Sequence, residues 1–197
     1  FKEFNAGAWV IDSEGTTSAA RLIQMAKARG LSVDEFKKRV IYSRVIGTAD
    51  LIATIEEGHK LIKKHDLKFI GVDTLVNPFR AEYPGREMLA ERQNRINRCL
   101  RRLLVYAEAF DLAVLVTNQV RAAPVAASIY ETRPEILNPP TGGHIFSYAV
   151  NNHLYMTRTA KHGVYLAVLI DSSYMPRAEA LYTITEKGIS DAEVMKK

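Results

Sequence analysis

Cys99 is the only cysteine in 197 residues, so no internal disulfide can form, and the chain fits a reducing compartment. Cys99 itself reads as a small helix residue rather than a nucleophile. No apolar run reaches the roughly 20 residues that a membrane-spanning helix needs. The N-terminal residues lack the layout of a signal peptide. There is no internal repeat and no linker that would split the chain, so a single domain over residues 1–197 is expected. Phe1 stands where an initiating Met would, and the chain is expected to continue upstream. The sequence also has no GxxxxGK[ST] segment, so the backbone cradle and lysine that hold nucleotide phosphates are missing from this span.

What is there has the composition of a soluble globular chain, 47% hydrophobic and 25% charged. A formal net charge of +5 permits an anionic partner without requiring one. Residues 67–75, LKFIGVDTL, form a near-continuous apolar run that ends in Asp73 and the hydroxyl of Thr74. Such runs belong to parallel strands covered on both faces. In an open α/β sheet the carboxyl ends of the strands form the ligand crevice. A carboxylate there can hold a hydrated Mg²⁺ beside phosphates, or simply cap the loop.

Two further strands, residues 6–11 and 39–45, precede this run, and residues 112–116 follow it. Helices are expected over residues 17–29, in a short segment capped by Ser32 with Glu35 in a capping box, and from Thr48 or Asp50 to about residue 64. The stretch 77–86, NPFRAEYPGR, reads as loop from Pro78, Pro84 and Gly85. A long helix then runs to about residue 109, with Leu89, Ile96, Leu100, Leu103, Leu104 and Ala107 as its buried stripe and most of its arginines off it. Residues 121–141 show no period and hold four prolines, the pattern of a long functional or disordered loop. Residues 145–149 suggest a helical turn. Three consecutive strands follow, at 150–157, 165–170 and 180–185, with residues 171–179 joining the last two. The tail from Glu186 reads as frayed. This order gives an α/β fold, a mostly parallel sheet flanked by helices and extended by antiparallel strands near the C-terminus.

Three strand ends therefore present polar groups along one sheet edge: Glu14, Asp73 and the Asn118–Gln119 pair. Glu14 is a candidate for orienting and deprotonating a water, Asp73 for a metal, and Gln119 for sensing a terminal phosphate.

The runs WVIDSEGT, FIGVDTL, FRAEYPGR with LAERQ, LVTNQV, PPTGGHI and LIDSSYMPRAEALYTITEKGISD resemble, in order and spacing, the ATPase core of the archaeal RadA family of recombinases. The resemblance extends over nearly the whole chain. It implies a RecA-like fold whose phosphate-loop strand and helix lie outside this span. It also implies ATP and Mg²⁺ as cofactors, a homo-oligomeric filament on single- and double-stranded DNA, possible recombinase paralogues as partners, and a cytoplasmic, nucleoid-associated location. By resemblance Glu14 is the catalytic glutamate and Asp73 the Walker-B aspartate, reaching Mg²⁺ through water. Gln119 couples nucleotide state to the second DNA loop. Arg80, Arg86 and Arg92 belong to the first DNA loop, and Arg121 opens the second. His144 faces the phosphate of a neighbouring subunit, and Asp171 and Pro176 belong to the segment capping ATP across the interface. Arg–phosphate pairing and a flexible basic loop following a single strand agree with these roles.

The departures carry weight. Ser18 stands where the family has an adenine-stacking arginine, and residues 164–170, usually basic in the family, carry no charge. Three functions stay open on sequence: an ATP-driven recombinase core, inactive as this span alone; a non-hydrolysing paralogue acting as a DNA-binding or mediator module; and a RecA-fold ATPase of another kind, against which LAERQ and the paired loop signatures argue.

Overall fold

The computed structural model describes residues 6–120, 138, 141 and 145–192. Four parallel strands, β1 (Gly7–Asp12), β2 (Val40–Arg44), β3 (Leu67–Asp73) and β4 (Ala113–Val116), form one sheet in the order β2-β1-β3-β4. β1 and β3 are its inner strands, and Trp9, Ile11, Ile70 and Val72 are buried in them. The chain leaves β1 toward β2 on one side, then returns past β1 to build β3 and β4 on the other. The direction of winding thus reverses between β1 and β3. The crevice outside the carboxyl ends of these two strands is where an open α/β sheet takes its ligand. Register puts Asp12 opposite Asp73, so both strands end at the same level.

Helices α1 (Ala19–Ala28) and α2 (Val33–Arg39) link β1 to β2. Ser18 caps α1 by accepting from the Arg21 amide, and Ser32 and Glu35 make the expected capping box at α2. Helix α3 (Gly47–His65) buries Leu51, Ile55 and Ile62 at helical spacing. Gly58 on that stripe lets α3 approach the sheet. A Cβ there would lie 2.7 Å from Trp9 Cζ3 and 3.0 Å from Tyr106 Cε2. Neither Thr48 nor Asp50 is the N-cap that the sequence suggests. The Thr48 amide and hydroxyl both donate to Glu82, while Asp50 accepts from the Ile46 amide.

Part of the stretch expected as loop is helical: α4 (Asn77–Glu82). Pro78 sits in its first turn, where a missing N–H costs no helical bond. Phe79 is fully buried beside it, and the helix ends at Tyr83, ahead of Pro84. In α5 (Leu89–Phe110) the buried stripe is Ile96, Cys99, Leu100, Leu103 and Tyr106. Leu89 and Leu104, expected on that stripe, are exposed. The Tyr106 hydroxyl donates to the carbonyls of Ile55 and Glu56, at 2.8 and 2.9 Å, and ties α5 to α3.

After α6 (Ile145–Ala149) come β5 (Asn152–Arg158), β6 (Val164–Ser172), β7 (Ala178–Thr185) and β8 (Gly188–Asp191), an antiparallel meander in that order. β6 runs through Asp171, which is thus a strand residue and not part of the connection. The supposed frayed tail includes β8, paired to β7 through a turn with Gly188 at φ 92°. Helix α1 holds this hairpin. Arg21 donates to the Thr185 carbonyl, and Arg29 donates to those of Lys187 (2.7 Å) and Ile189 (3.2 Å). Among the described residues no helix is long and apolar enough to cross a membrane.

Candidate active site

β1 ends in Asp12, a side chain with no exposed surface. An isolated buried carboxylate is strongly disfavoured. Here the two oxygens are saturated. Oδ1 accepts from the amides of Glu14 (3.0 Å) and Gly15 (2.6 Å), and Oδ2 accepts from the Thr17 amide (3.0 Å) and the Tyr42 hydroxyl (2.9 Å). Burial alone would raise the pKa of Asp12. The bonds from Gly15, Thr17 and Tyr42 outweigh it and hold the group at about 2, against an ordinary 3.8. Burial, then the bond to Asp12, pushes the Tyr42 hydroxyl up. The Arg44 guanidinium lies 4.0 Å from Oδ1 and donates to the Asp12 carbonyl at 2.8 Å.

The loop wrapped around Asp12 presents Glu14 to the end of β3. Ser13 bridges the two strand ends. Its amide donates to the Asp73 carbonyl (2.8 Å), and its hydroxyl donates to the Thr74 carbonyl (2.6 Å) and accepts from the Thr74 amide (3.0 Å). The Asp73–Thr74 peptide bond is cis. Glu14 Oε1 accepts from the Thr74 hydroxyl and from Gln119 Nε2, each at 3.0 Å. The Thr117 hydroxyl, just past β4, donates to Asp73 Oδ1 at 2.6 Å. Asn118 braces the same turn against Thr141, accepting from its hydroxyl and donating to its carbonyl, both at 2.7 Å.

The three strand-end groups expected from the sequence, Glu14, Asp73 and Gln119, thus form one cluster at the point where the winding reverses. Thr117 occupies one Asp73 oxygen. Among the described residues no group of three or more His, Cys, Asp or Glu side chains can cage a metal ion. A single carboxylate with a free oxygen suits a cation that keeps most of its waters and shares phosphates, which is how Mg²⁺ is usually held. Burial pushes the Cys99 thiol up to about 12, so it is no nucleophile.

The family model for Rad51 matches residues 4–192. The chain belongs to the Rad51 family. It is 37% identical over 188 residues to the DNA repair and recombination protein RadA of Ignicoccus hospitalis, a match covering 95% of this chain and 55% of that one. The chain therefore spans about 55% of the length of this curated relative.

Elsewhere in this Rad51-family core, Arg80 on α4 and Arg86 beyond it are exposed. Arg92 is partly committed, donating to the Tyr83 carbonyl at 2.7 Å, and Arg95 lies 4.9 Å over the Tyr83 ring. Arg121, His144 and most of the second loop lie outside the described residues. Asp171 and Pro176 sit at the β6–β7 end of the meander, and among the described residues neither bonds to the Glu14 cluster. Arg98 of α5 forms an ion pair with Glu56 of α3.

The sequence reading passed over Asp12, Thr117, Tyr42 and Arg44. Asp12 carried a signal: an acid at a strand end followed by Ser-Glu-Gly is a loop-capping pattern. Tyr42 and Arg44 carried none, because only the β1–β2 register brings them to Asp12.

Proposed function

We propose that the chain is the core of an ATP-driven recombinase that assembles as a filament on single-stranded DNA and promotes homologous pairing and strand exchange. Convergence of Glu14, Asp73 and Gln119 at the sheet's switch point carries this proposal, and membership of the Rad51 family supports it. Bound MgATP would supply the phosphoryl group and the cation that offsets its charge. Asp73 would hold that cation through water with the oxygen that Thr117 leaves free. Glu14 would orient and deprotonate the attacking water, with Thr74 fixing its carboxylate. Gln119, bonded to Glu14 and leading into the second loop, would couple the phosphate site to DNA. His144, Asp171 and Pro176 would complete the nucleotide site of an adjacent subunit. Arg80, Arg86, Arg92 and Arg121 would contact DNA phosphates.

In a version of the chain joined to a phosphate-binding loop, Glu14→Gln is expected to bind ATP nearly as well as the parent and to hydrolyse it at least a hundredfold more slowly, the order of a lost general base. Unchanged turnover removes Glu14 from the mechanism. Residues 1–197 alone are expected to show no ATPase activity.

One observation favours a second function, that of a non-hydrolysing paralogue serving as a DNA-binding or mediator module. Where the family stacks an arginine on adenine, Ser18 is spent on capping α1. Failure of the joined protein to bind ATP, with DNA binding retained, selects this alternative.

A further inference from the structure

We infer that Asp12 is a positioning residue for Glu14, and that Tyr42 on edge strand β2 holds Asp12 in place. The inference rests on the assignment of Glu14 as the base and adds how that base is kept in register.

A carboxylate has about four acceptor sites, and all four of Asp12 are used. Three go to backbone amides of the loop that carries Glu14, those of residues 14, 15 and 17. The Thr17 side chain adds a further bond from the loop, and Tyr42, 30 residues along the chain and on a different strand, supplies the hydrogen bond from β2. Among the described residues, the loop is hydrogen-bonded to β2 through Asp12. Arg44 seals the arrangement from the same strand. Its Nη1 donates to the carbonyls of Asp12 (2.8 Å) and Val45 (2.9 Å). Gly15, at φ 74°, leaves room for it, since a Cβ at that position would meet Arg44 Nη2 at 2.8 Å.

The carboxylate of Glu14 is set from the other side by Thr74 and Gln119. Its backbone is set by Asp12. A base fixed at both ends keeps its oxygen within the narrow tolerance that proton transfer requires. Loss of the Tyr42 hydroxyl removes the hydrogen bond that ties the Asp12 carboxylate to β2, while the loop's own donors to that carboxylate remain. A plain loop cap would keep its three amide bonds without help from β2, whereas a positioning residue held from β2 would not.

The test is Tyr42→Phe, with Tyr106→Phe as the loss of a hydrogen-bonded tyrosine hydroxyl far from the loop. In the version joined to a phosphate-binding loop, the Gly15 amide proton, bonded to a carboxylate at 2.6 Å, is expected well downfield in the NMR spectrum. Tyr42→Phe should move the Glu14, Gly15 and Thr17 amides and speed their hydrogen exchange about tenfold, the order expected for one lost hydrogen bond. Exchange in β3 should stay unchanged, and Tyr106→Phe should leave the loop alone. Unmoved loop amides, or equal acceleration in β3, overturn the inference.

In the version joined to a phosphate-binding loop, Tyr42→Phe should lower kcat with the KM for ATP within twofold of the parent. A parental kcat in Tyr42→Phe, with Glu14→Gln inactive, also overturns it. If Glu14→Gln keeps its turnover, the assignment of the base falls, and the exchange data still decide whether Tyr42 holds the loop.

Discussion

Asp12 sets a lower pH limit on the fold. A carboxylate whose folded pKa lies below its unfolded value contributes stability that is complete above the unfolded value and is lost as pH falls through the folded one. For Asp12 that window runs from about 4 down to about 2. The difference corresponds to about 2 kcal/mol. Urea unfolding of the parent between pH 5 and pH 2 should therefore show a loss of about 2 kcal/mol that Asp12→Asn does not share. Parallel pH profiles for the two proteins would remove Asp12 as the source. The same residue shows where sequence and structure part. A strand-end acid was visible in the chain, and so was Glu14 two residues on. That the acid faces inward, with its charge satisfied by Tyr42 on a strand 30 residues away, follows from register, which no local pattern encodes.

Elements with a single strong cause were legible. β3 follows from its apolar run, α2 from its capping box and α5 from its 3.6-residue period. Those whose cause lies elsewhere in the chain were not. β8 is short and partly polar, and it is held by Arg29 across some 158 to 160 residues. α4 hides behind Pro78 and Pro84, because proline in a first turn and proline in a loop read alike. This bears on Arg80, Arg86 and Arg92, proposed to contact DNA, which sit on α4, in the turn after it and on the first turn of α5. Arg80→Ala and Arg86→Ala should each flatten the slope of log K against log salt for single-stranded DNA by about 0.7. Arg92→Ala should do more harm, since it also frees the Tyr83 carbonyl. The control is Arg102, exposed and without an ion pair among the described residues. Arg98 is unsuitable, because its loss strands a buried Glu56 oxygen. Fluorescence anisotropy over a salt series reads all four variants, and equal slopes throughout would move the DNA contact off this segment.

At the scale of the molecule, the described residues hold two four-stranded sheets, and the candidate chemistry gathers on the parallel one. The chain spans about 55% of the length of the RadA relative that it matches. The sheets also leave open borders. Among the described residues β4 pairs only with β3, and β5 only with β6. β4 is wholly apolar, with Leu115 50% exposed, while β5 is mixed and exposes Leu154 at 62%. An unpaired strand of this kind is a template for backbone pairing with another chain, and natural proteins blunt such borders with charge. Here Ala113–Val116 carries none. Residues 1–197 in isolation should therefore be poorly soluble, forming cross-strand aggregates as concentration rises. Leu115→Lys should shift sedimentation profiles toward the monomer at the same concentration, and an unchanged profile would place the sticky border elsewhere. A laboratory purifying this span would meet the consequence first as turbidity, before any assay of function.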